Sequence, residues 1–109
     1  MKLVIAIVQN DDAYTLSDAL MDKKFSVTKL STTGGFLKIN NSTLLIGTDD
    51  EKVQVVIDII KQICHSREKI ISAPLPSSYA EIAMQSYPIN INIGGATIFV
   101  VDVDRFEKI

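Results

Sequence analysis

The amphipathic segment that follows Thr48 constrains the fold more than any other part of the chain. Apolar residues at positions i, i+3, i+4 and i+7 form one stripe along a helix, and such a stripe must be buried against another layer. Thr48 and Glu51 have the spacing of a capping box, so we predict that a helix begins near Thr48. One face of this helix is expected to lie on a sheet. The stripe consists of Val53, Val56, Ile57, Ile60, Ile63 and Cys64.

The first half of the chain supplies the strands for such a sheet. Leu3–Gln9 is a β-branched, nearly continuous apolar run, which is typical of a central strand buried on both faces. The three polar residues after it, Asn10, Asp11 and Asp12, offer groups that cap a helix. The further elements predicted here are a helix over Asp12–Lys23, strands over Phe25–Ser31 and Ser42–Gly47, and an irregular connection at residues 32–41.

The last third of the chain adds two strands after a long irregular segment. Periodicity lapses over Ser66–Pro88, which predicts a loop long enough to be functional. Ile89–Ile93 then alternates apolar and amide residues, and Gly94-Gly95 before Ala96–Val103 predicts a tight hairpin. The element order predicts an α+β fold, a ferredoxin-like βαββαβ sandwich with an added β-hairpin arm. Helices on one face leave the other face apolar, so we expect a homo-oligomer.

Composition limits the classes of protein that the chain can belong to. The length of 109 residues predicts a single domain over residues 1–109. Eleven Lys and Arg against 13 Asp and Glu give a formal charge of -2, so a nucleic acid polymer is not expected as a partner. The single Cys64 favours a reducing compartment. The apolar run Leu3–Val8 is too short for a signal peptide or a membrane span, and we expect a soluble, cytoplasmic protein.

The reactive side chains do not indicate an enzyme. Cys64 and His65 are the only thiol and the only imidazole of the chain. Neighbours on a helix diverge by about 100°, so they are poorly placed as a nucleophile and base. We interpret them as a buried small residue beside a surface histidine at a helix end. No catalytic residue, metal site or cofactor is therefore predicted.

A loop after the second strand suits a purine nucleotide. Gly34-Gly35 lets main-chain N–H groups approach phosphate oxygens, and Phe36 offers a ring on which adenine can stack. Asn40 and Asn41 carry carboxamides that can pair with an adenine edge. A glycine turn with polar neighbours and one aromatic side chain in the core is the alternative that these residues leave open. The hydroxyls crowded beside the glycines belong to Thr28, Ser31, Thr32 and Thr33.

The segment Thr28–Leu37, with the sequence TKLSTTGGFL, resembles the TKLATTGGFL segment of the PII-like cyclic di-AMP receptors known as PstA or DarA. Three other stretches are similar to that family in the same register. They are Met1–Gln9, Asn41–Gly47, and the segment GGATIFV at residues 94–100, which is followed by Val103-Asp104 and Phe106. The resemblance covers most of the chain outside the long loop.

The resemblance implies a homotrimer that binds cyclic di-AMP in clefts between neighbouring subunits. It places Thr28 and Gly35 at phosphate and ribose, and Phe36 and Leu37 against adenine. Asn41 and Gly47 match positions that hydrogen-bond a base, and Phe99 matches an aromatic residue in the cleft wall. The ligand-binding residues expected on this basis are Ser26, Thr28, Gly35, Phe36, Leu37, Asn41, Gly47 and Phe99.

Ser26 departs from the family, because relatives often carry an arginine at that position. Loss of a charge-assisted contact would weaken binding by about 1.5 to 3 kcal/mol unless Lys29 or Lys38 compensates. The connection at residues 32–41 corresponds to the T-loop of PII proteins, and residues 66–88 correspond to an enlarged B-loop. The function implied is non-enzymatic signal transduction, in which the ligand changes both loops and an unidentified protein target reads the change.

Two alternatives keep the same scaffold. One is a PII-like receptor for ATP or another adenine nucleotide in the same cleft. The other is a metal-handling trimer of the CutA type, in which threefold symmetry gathers three copies of His65.

Overall fold

The computed structural model describes residues 1–30, 40–74 and 86–109, without the side chains of residues 71–74 and 86–87. The chain forms six strands and two α-helices, and a short 3-10 turn precedes the second helix. In chain order they are β1 (Lys2–Gln9), α1 (Asn10–Asp22), β2 (Ser26–Leu30), β3 (Asn41–Thr48), the 3-10 turn (Asp50–Lys52), α2 (Val53–Cys64), β4 (Arg67–Pro74), β5 (Ser86–Ile93) and β6 (Ala96–Asp102).

Four strands form an antiparallel sheet in the order β2-β3-β1-β6. With α1 after β1 and α2 after β3, this is the βαββαβ arrangement of a ferredoxin-like α+β fold. β1 pairs with β3 on one side and with β6 on the other, so its predicted central position is confirmed. The predicted burial on both faces is not found in the single chain, because Leu3, Ile5 and Ile7 are only half-buried. Each strand and helix predicted for the first 64 residues is present, with ends displaced by one or two residues for the most part.

The core lies between this sheet and the two helices. Val4, Ala6 and Val8 alternate along β1 and are at most 1% exposed, because successive side chains of a strand point to opposite faces. Leu44 and Ile46 extend the same buried layer onto β3. The helices complete the layer with Ala13, Leu16, Leu20, Val56, Ile60 and Cys64. The stripe that was predicted for α2 therefore faces the sheet, as expected.

β5 does not form the predicted hairpin with β6. It pairs with β4 along its whole length, from Arg67 opposite Ile93 to Pro74 opposite Ser86, while β6 pairs with β1. Gly94 and Gly95, both with a φ of 85°, redirect the chain from one sheet to the other. We call the two-stranded sheet of β4 and β5 the ribbon. Part of the segment that was predicted as irregular, 66–88, is thus paired strand.

The predicted capping groups take other roles. Thr48 remains in β3, paired with Lys2, and the turn after it winds as a 3-10 helix that has no side-chain capping bond. Helix α1 also begins without a side-chain cap. Asn10 instead accepts a hydrogen bond from the Ser42 hydroxyl, and Asp12 pairs with a residue of the ribbon. Of the helices in the described residues, none reaches both the length and the hydropathy of a membrane-spanning segment.

Candidate functional site

The sheet has a second face that α1 and α2 do not cover, and the strand register puts five of the predicted ligand-binding residues on it: Ser26, Thr28, Asn41, Gly47 and Phe99. We call it the open face. The strand register puts Thr28 opposite Leu45, Leu45 opposite Ile5, and Ile5 opposite Phe99, so these residues form one row across the sheet. Ser26, Gly47, Leu3 and Val101 form the next row. Sequence reasoning therefore selected residues that share one surface.

Thr28 and Phe99 nevertheless lie at opposite edges of that surface. Three inter-strand spacings separate β2 from β6, which is about 14 Å. Phe99 is 52% exposed and Val101 is 42% exposed, while Ile5 between the edges is half-buried. The open face thus carries apolar side chains that α1 and α2 leave uncovered, and those at its β6 edge are exposed. Within one protomer, the hydroxyl of Thr28 and the ring of Phe99 do not meet in a pocket.

Asn41 lies at the end of β3 that is remote from Gly47. The two residues are six positions apart along the strand, which corresponds to about 20 Å. Asn41 lines an open cleft of about 410 Å³ together with Gln9, Thr97 and the pair Gly94 and Gly95. A second cleft of about 400 Å³ adjoins it and also includes Gln9, with Asn10, Asn40 and Asn92 among its lining residues. The carboxamides of these clefts can donate and accept hydrogen bonds to a base edge.

Hydrogen bonds at the end of β1 attach two other segments of the chain that border this cleft. The Gln9 carboxamide oxygen accepts a hydrogen bond of 2.8 Å from the N–H of Gly94, where the ribbon ends. The N–H of Asn10 donates a bond of 2.6 Å to the carbonyl of Asn40, where β3 is about to begin. Sequence reasoning missed Gln9, because an amide at the end of an apolar strand gives no local sign of a distant partner.

An ion pair fixes the base of the ribbon to α1. The Arg67 guanidinium donates to both carboxylate oxygens of Asp12, at 2.7 and 3.4 Å, and to the carbonyl of His65 at 3.0 Å. Asp12 is 5% exposed, so its charge depends on this partner. The hydrogen bonds that Arg67 donates to Asp12 also raise the pKa of the guanidinium. The N–H of Gly95 donates to the carbonyl of Cys64 at 2.5 Å, which adds a second attachment.

Ser26 and Gly47 line a separate, smaller cleft at the other end of the sheet, of about 210 Å³. Three lysines, Lys23, Lys24 and Lys52, line it as well. The remaining lining residues are Phe25, Thr48 and Asp49.

The lysines suggested from the sequence as neighbours of Ser26 are not among the residues of this cleft. Lys29 is in register with Leu44, on the side of the sheet that faces the helices, and Lys38 lies outside the described residues. The adjacent pair Lys23-Lys24, just before Ser26, was the sequence signal that could have identified the cleft.

Three of the predicted site residues, Gly35, Phe36 and Leu37, lie outside the described residues, as does most of the connection at 32–41. Cys64 is 2% exposed, and burial raises the pKa of its thiol to about 11. His65 is exposed, with Nδ1 3.0 Å from the carbonyl oxygen of Gln62. The interpretation of these two residues as a buried small side chain beside a surface histidine is confirmed.

Comparison with known proteins shows the family of the chain. A family model described as "Cyclic-di-AMP receptor" matches residues 1–109, the whole chain. Among solved structures, the chain is similar to a functionally unknown protein from Pediococcus pentosaceus ATCC 25745, with 44% sequence identity and a TM-score of 0.75. The match covers 99% of this chain and 96% of that one. The resemblance read from the sequence is thereby confirmed, and the chain belongs to the cyclic-di-AMP receptor family.

Proposed function

We propose that this protein is a non-enzymatic PII-like signal transduction protein that binds cyclic di-AMP between the subunits of a homotrimer. The observation that carries the proposal is the separation of Thr28 and Phe99 on one open face. A site that needs both residues is incomplete in one chain, but it is completed when the β2 edge of one protomer meets the β6 edge of the next. The exposed apolar residues Phe99 and Val101 at the β6 edge supply part of the surface that such an assembly buries.

In this arrangement each residue keeps the role that the family resemblance gives it. Ser26, Thr28 and Gly47 line the β2 edge, and Phe99 closes the cleft from the neighbouring protomer. Gly35, Phe36 and Leu37 supply main-chain N–H groups and apolar contacts to adenine. Asn41 lies too far from Gly47 for both to bind the same base within one chain, so it contacts the ligand from another direction. The proposal assigns no catalytic residue and no cofactor.

Signalling then depends on the T-loop at about 32–41 and the B-loop at about 66–88. The T-loop is attached at the end of β1 through the bond from Asn10 to Asn40. The ribbon, which includes part of the B-loop segment, is attached there through the bond from Gly94 to Gln9. A ligand beside Gln9 and Asn41 therefore acts at the attachment points of both loops. For the ligand to change them, it must bind one loop arrangement more tightly than the other, and a protein target then reads the difference.

The first experiment measures assembly and ligand together. Sedimentation equilibrium should give a mass of three chains of 12.0 kDa each. Calorimetry with cyclic di-AMP should give one site per chain, and an excess of ATP should not displace the ligand. A monomer without ligand, or no heat at ligand concentrations up to the millimolar range, would refute the proposal. Displacement by ATP would instead support an adenine nucleotide as the ligand.

The Thr28→Val variant tests the site itself. It keeps the shape of the side chain and removes its hydroxyl, so affinity should fall by about 1.5 to 3 kcal/mol if the hydroxyl donates to phosphate. Thr15→Val is the matched control, because Thr15 is exposed on α1 and outside the open face. Equal affinities of the two variants would show that Thr28 does not contact the ligand.

A further inference from the structure

The cleft beside Ser26 and Gly47 gathers positive charge in a chain whose formal net charge is -2. Its lining residues include Lys23, Lys24 and Lys52 and a single acidic residue, Asp49. Within residues 1–30, 40–74 and 86–109, none of these lysines has a carboxylate oxygen within 4.0 Å, whereas Lys2 pairs with Asp102 and Arg67 with Asp12. We call this cleft the lysine corner. Its cations are available to an anionic ligand.

Lys24 occupies a backbone position that disfavours a side chain. Its φ is 68°, in the left-handed region, and it ends α1 with two reverse hydrogen bonds. These run from the N–H of Phe25 to the carbonyl of Leu20, at 3.0 Å, and from the N–H of Lys24 to the carbonyl of Met21, at 2.8 Å. Glycine or asparagine usually fills this position of a helix end, because other side chains are strained there. A lysine kept at a strained position beside a cleft indicates a use for its ammonium group.

The lysine corner is continuous with the open face. Ser26 lines the corner, and it lies two residues from Thr28 along the same side of β2. A ligand that contacts Thr28 can thus extend toward Lys24 and Lys52. Lysine ammonium groups bind phosphate as point charges without the planar geometry that arginine imposes, so three of them around a small cleft suit one phosphate group.

We propose that the lysine corner binds a phosphate group of the cyclic dinucleotide. This inference rests on the proposed function and adds to it the residues that set the affinity and its salt dependence. Lys24 and Lys52 approach the corner from the end of α1 and from the turn before α2, so two separate elements hold the phosphate. The negative charge of Asp49 repels a phosphate group in this cleft and so weakens the attraction.

The test compares lysine variants by calorimetry with cyclic di-AMP at low and high KCl. Lys24→Gln and Lys52→Gln remove a charge and keep the length of the side chain. Each should lower the affinity by about 5- to 20-fold at low salt, and each should reduce the salt dependence. Lys61→Gln is the control, because Lys61 is exposed near the other end of α2, and it should change neither quantity. Adding Ser26→Arg to Lys24→Gln should restore affinity by returning a cation to the corner.

The outcomes separate the two proposals. If the wild-type protein binds and the Lys24→Gln and Lys52→Gln variants match Lys61→Gln in affinity and salt dependence, the lysine corner is refuted and the proposed function stands. If the wild-type protein does not bind, both fall. Inorganic phosphate alone is the last probe. It could stabilise the wild-type protein but not Lys24→Gln, while both proteins bind the dinucleotide with equal affinity. In that case the lysine corner binds free phosphate, and the assignment to the dinucleotide is wrong. Circular dichroism confirms that each variant is folded.

Discussion

Gly94 and Gly95 have the same φ but different surroundings, so their alanine variants form a matched pair. Both residues have a φ of 85°, and an alanine there costs about 1 to 2 kcal/mol in backbone strain. A Cβ on Gly95 meets no atom within 4 Å. A Cβ on Gly94 would collide with the main-chain carbonyl of His65 and lie 2.7 Å from the Arg67 guanidinium. The difference in free energy of unfolding between the two variants therefore measures the cost of the close contact at Gly94.

The collision cannot be relieved without moving the base of the ribbon. The atom in the way belongs to the backbone of His65, and a shift would disturb the bond from Gly94 to Gln9 and the contact between Arg67 and Asp12. Overpacking costs about 1 to 3 kcal/mol and a lost neutral hydrogen bond about 1 kcal/mol. We expect Gly95→Ala to destabilise by about 1 to 2 kcal/mol. Gly94→Ala should destabilise by about 2 to 4 kcal/mol more than that.

Urea unfolding, followed by circular dichroism at one fixed protein concentration, measures the difference. With a denaturant slope of about 2 kcal/mol/M, Gly94→Ala should unfold at a midpoint about 1 to 2 M below that of Gly95→Ala. The concentration must be held constant because assembly stabilises the folded chain. Equal midpoints for the two variants would refute the reasoning, because they would mean that the ribbon moves away from Gly94 at no cost.

Three further predictions concern the rest of the fold. Arg67→Met leaves the buried carboxylate of Asp12 unpaired and should clearly lower the urea midpoint of unfolding. Lys2→Met breaks an exposed ion pair and should leave the midpoint nearly unchanged. A larger effect of Lys2→Met than of Arg67→Met would contradict the assigned burial. Burial raises the pKa of Cys64 from 9.0 to about 11, so a disulfide reagent at pH 8 should label the folded protein at least about 100-fold more slowly than the unfolded chain. For the same reason the free energy of unfolding should fall as the pH rises from about 9 to 11. Leu44→Ala, at 0% exposure, should cost about 2 to 5 kcal/mol in calorimetric unfolding, and a cost below 1 kcal/mol would place Leu44 outside the core.

The amino-acid sequence predicted the parts of this protein that depend on local periodicity. The apolar stripe of α2 follows from a spacing of 3.6 residues, and β1 follows from a nearly continuous β-branched apolar run; neighbouring residues alone define both signals. The family resemblance then supplied the ligand, because the motif around Gly34 and Gly35 is specific while its local chemistry suits several nucleotides.

The tertiary structure decided which distant residues meet. The alternation of Ile89–Ile93 predicted a strand correctly, but its partner is β4 and not β6, since a Gly-Gly pair permits a turn without requiring one. Asp12 pairs with Arg67, 55 residues away, and no spacing rule indicates that choice. The lysine corner likewise joins residues from the end of α1 and the start of α2. Local patterns specify which face of an element is apolar, whereas the choice of partner is a competition among long-range contacts that only the folded chain resolves.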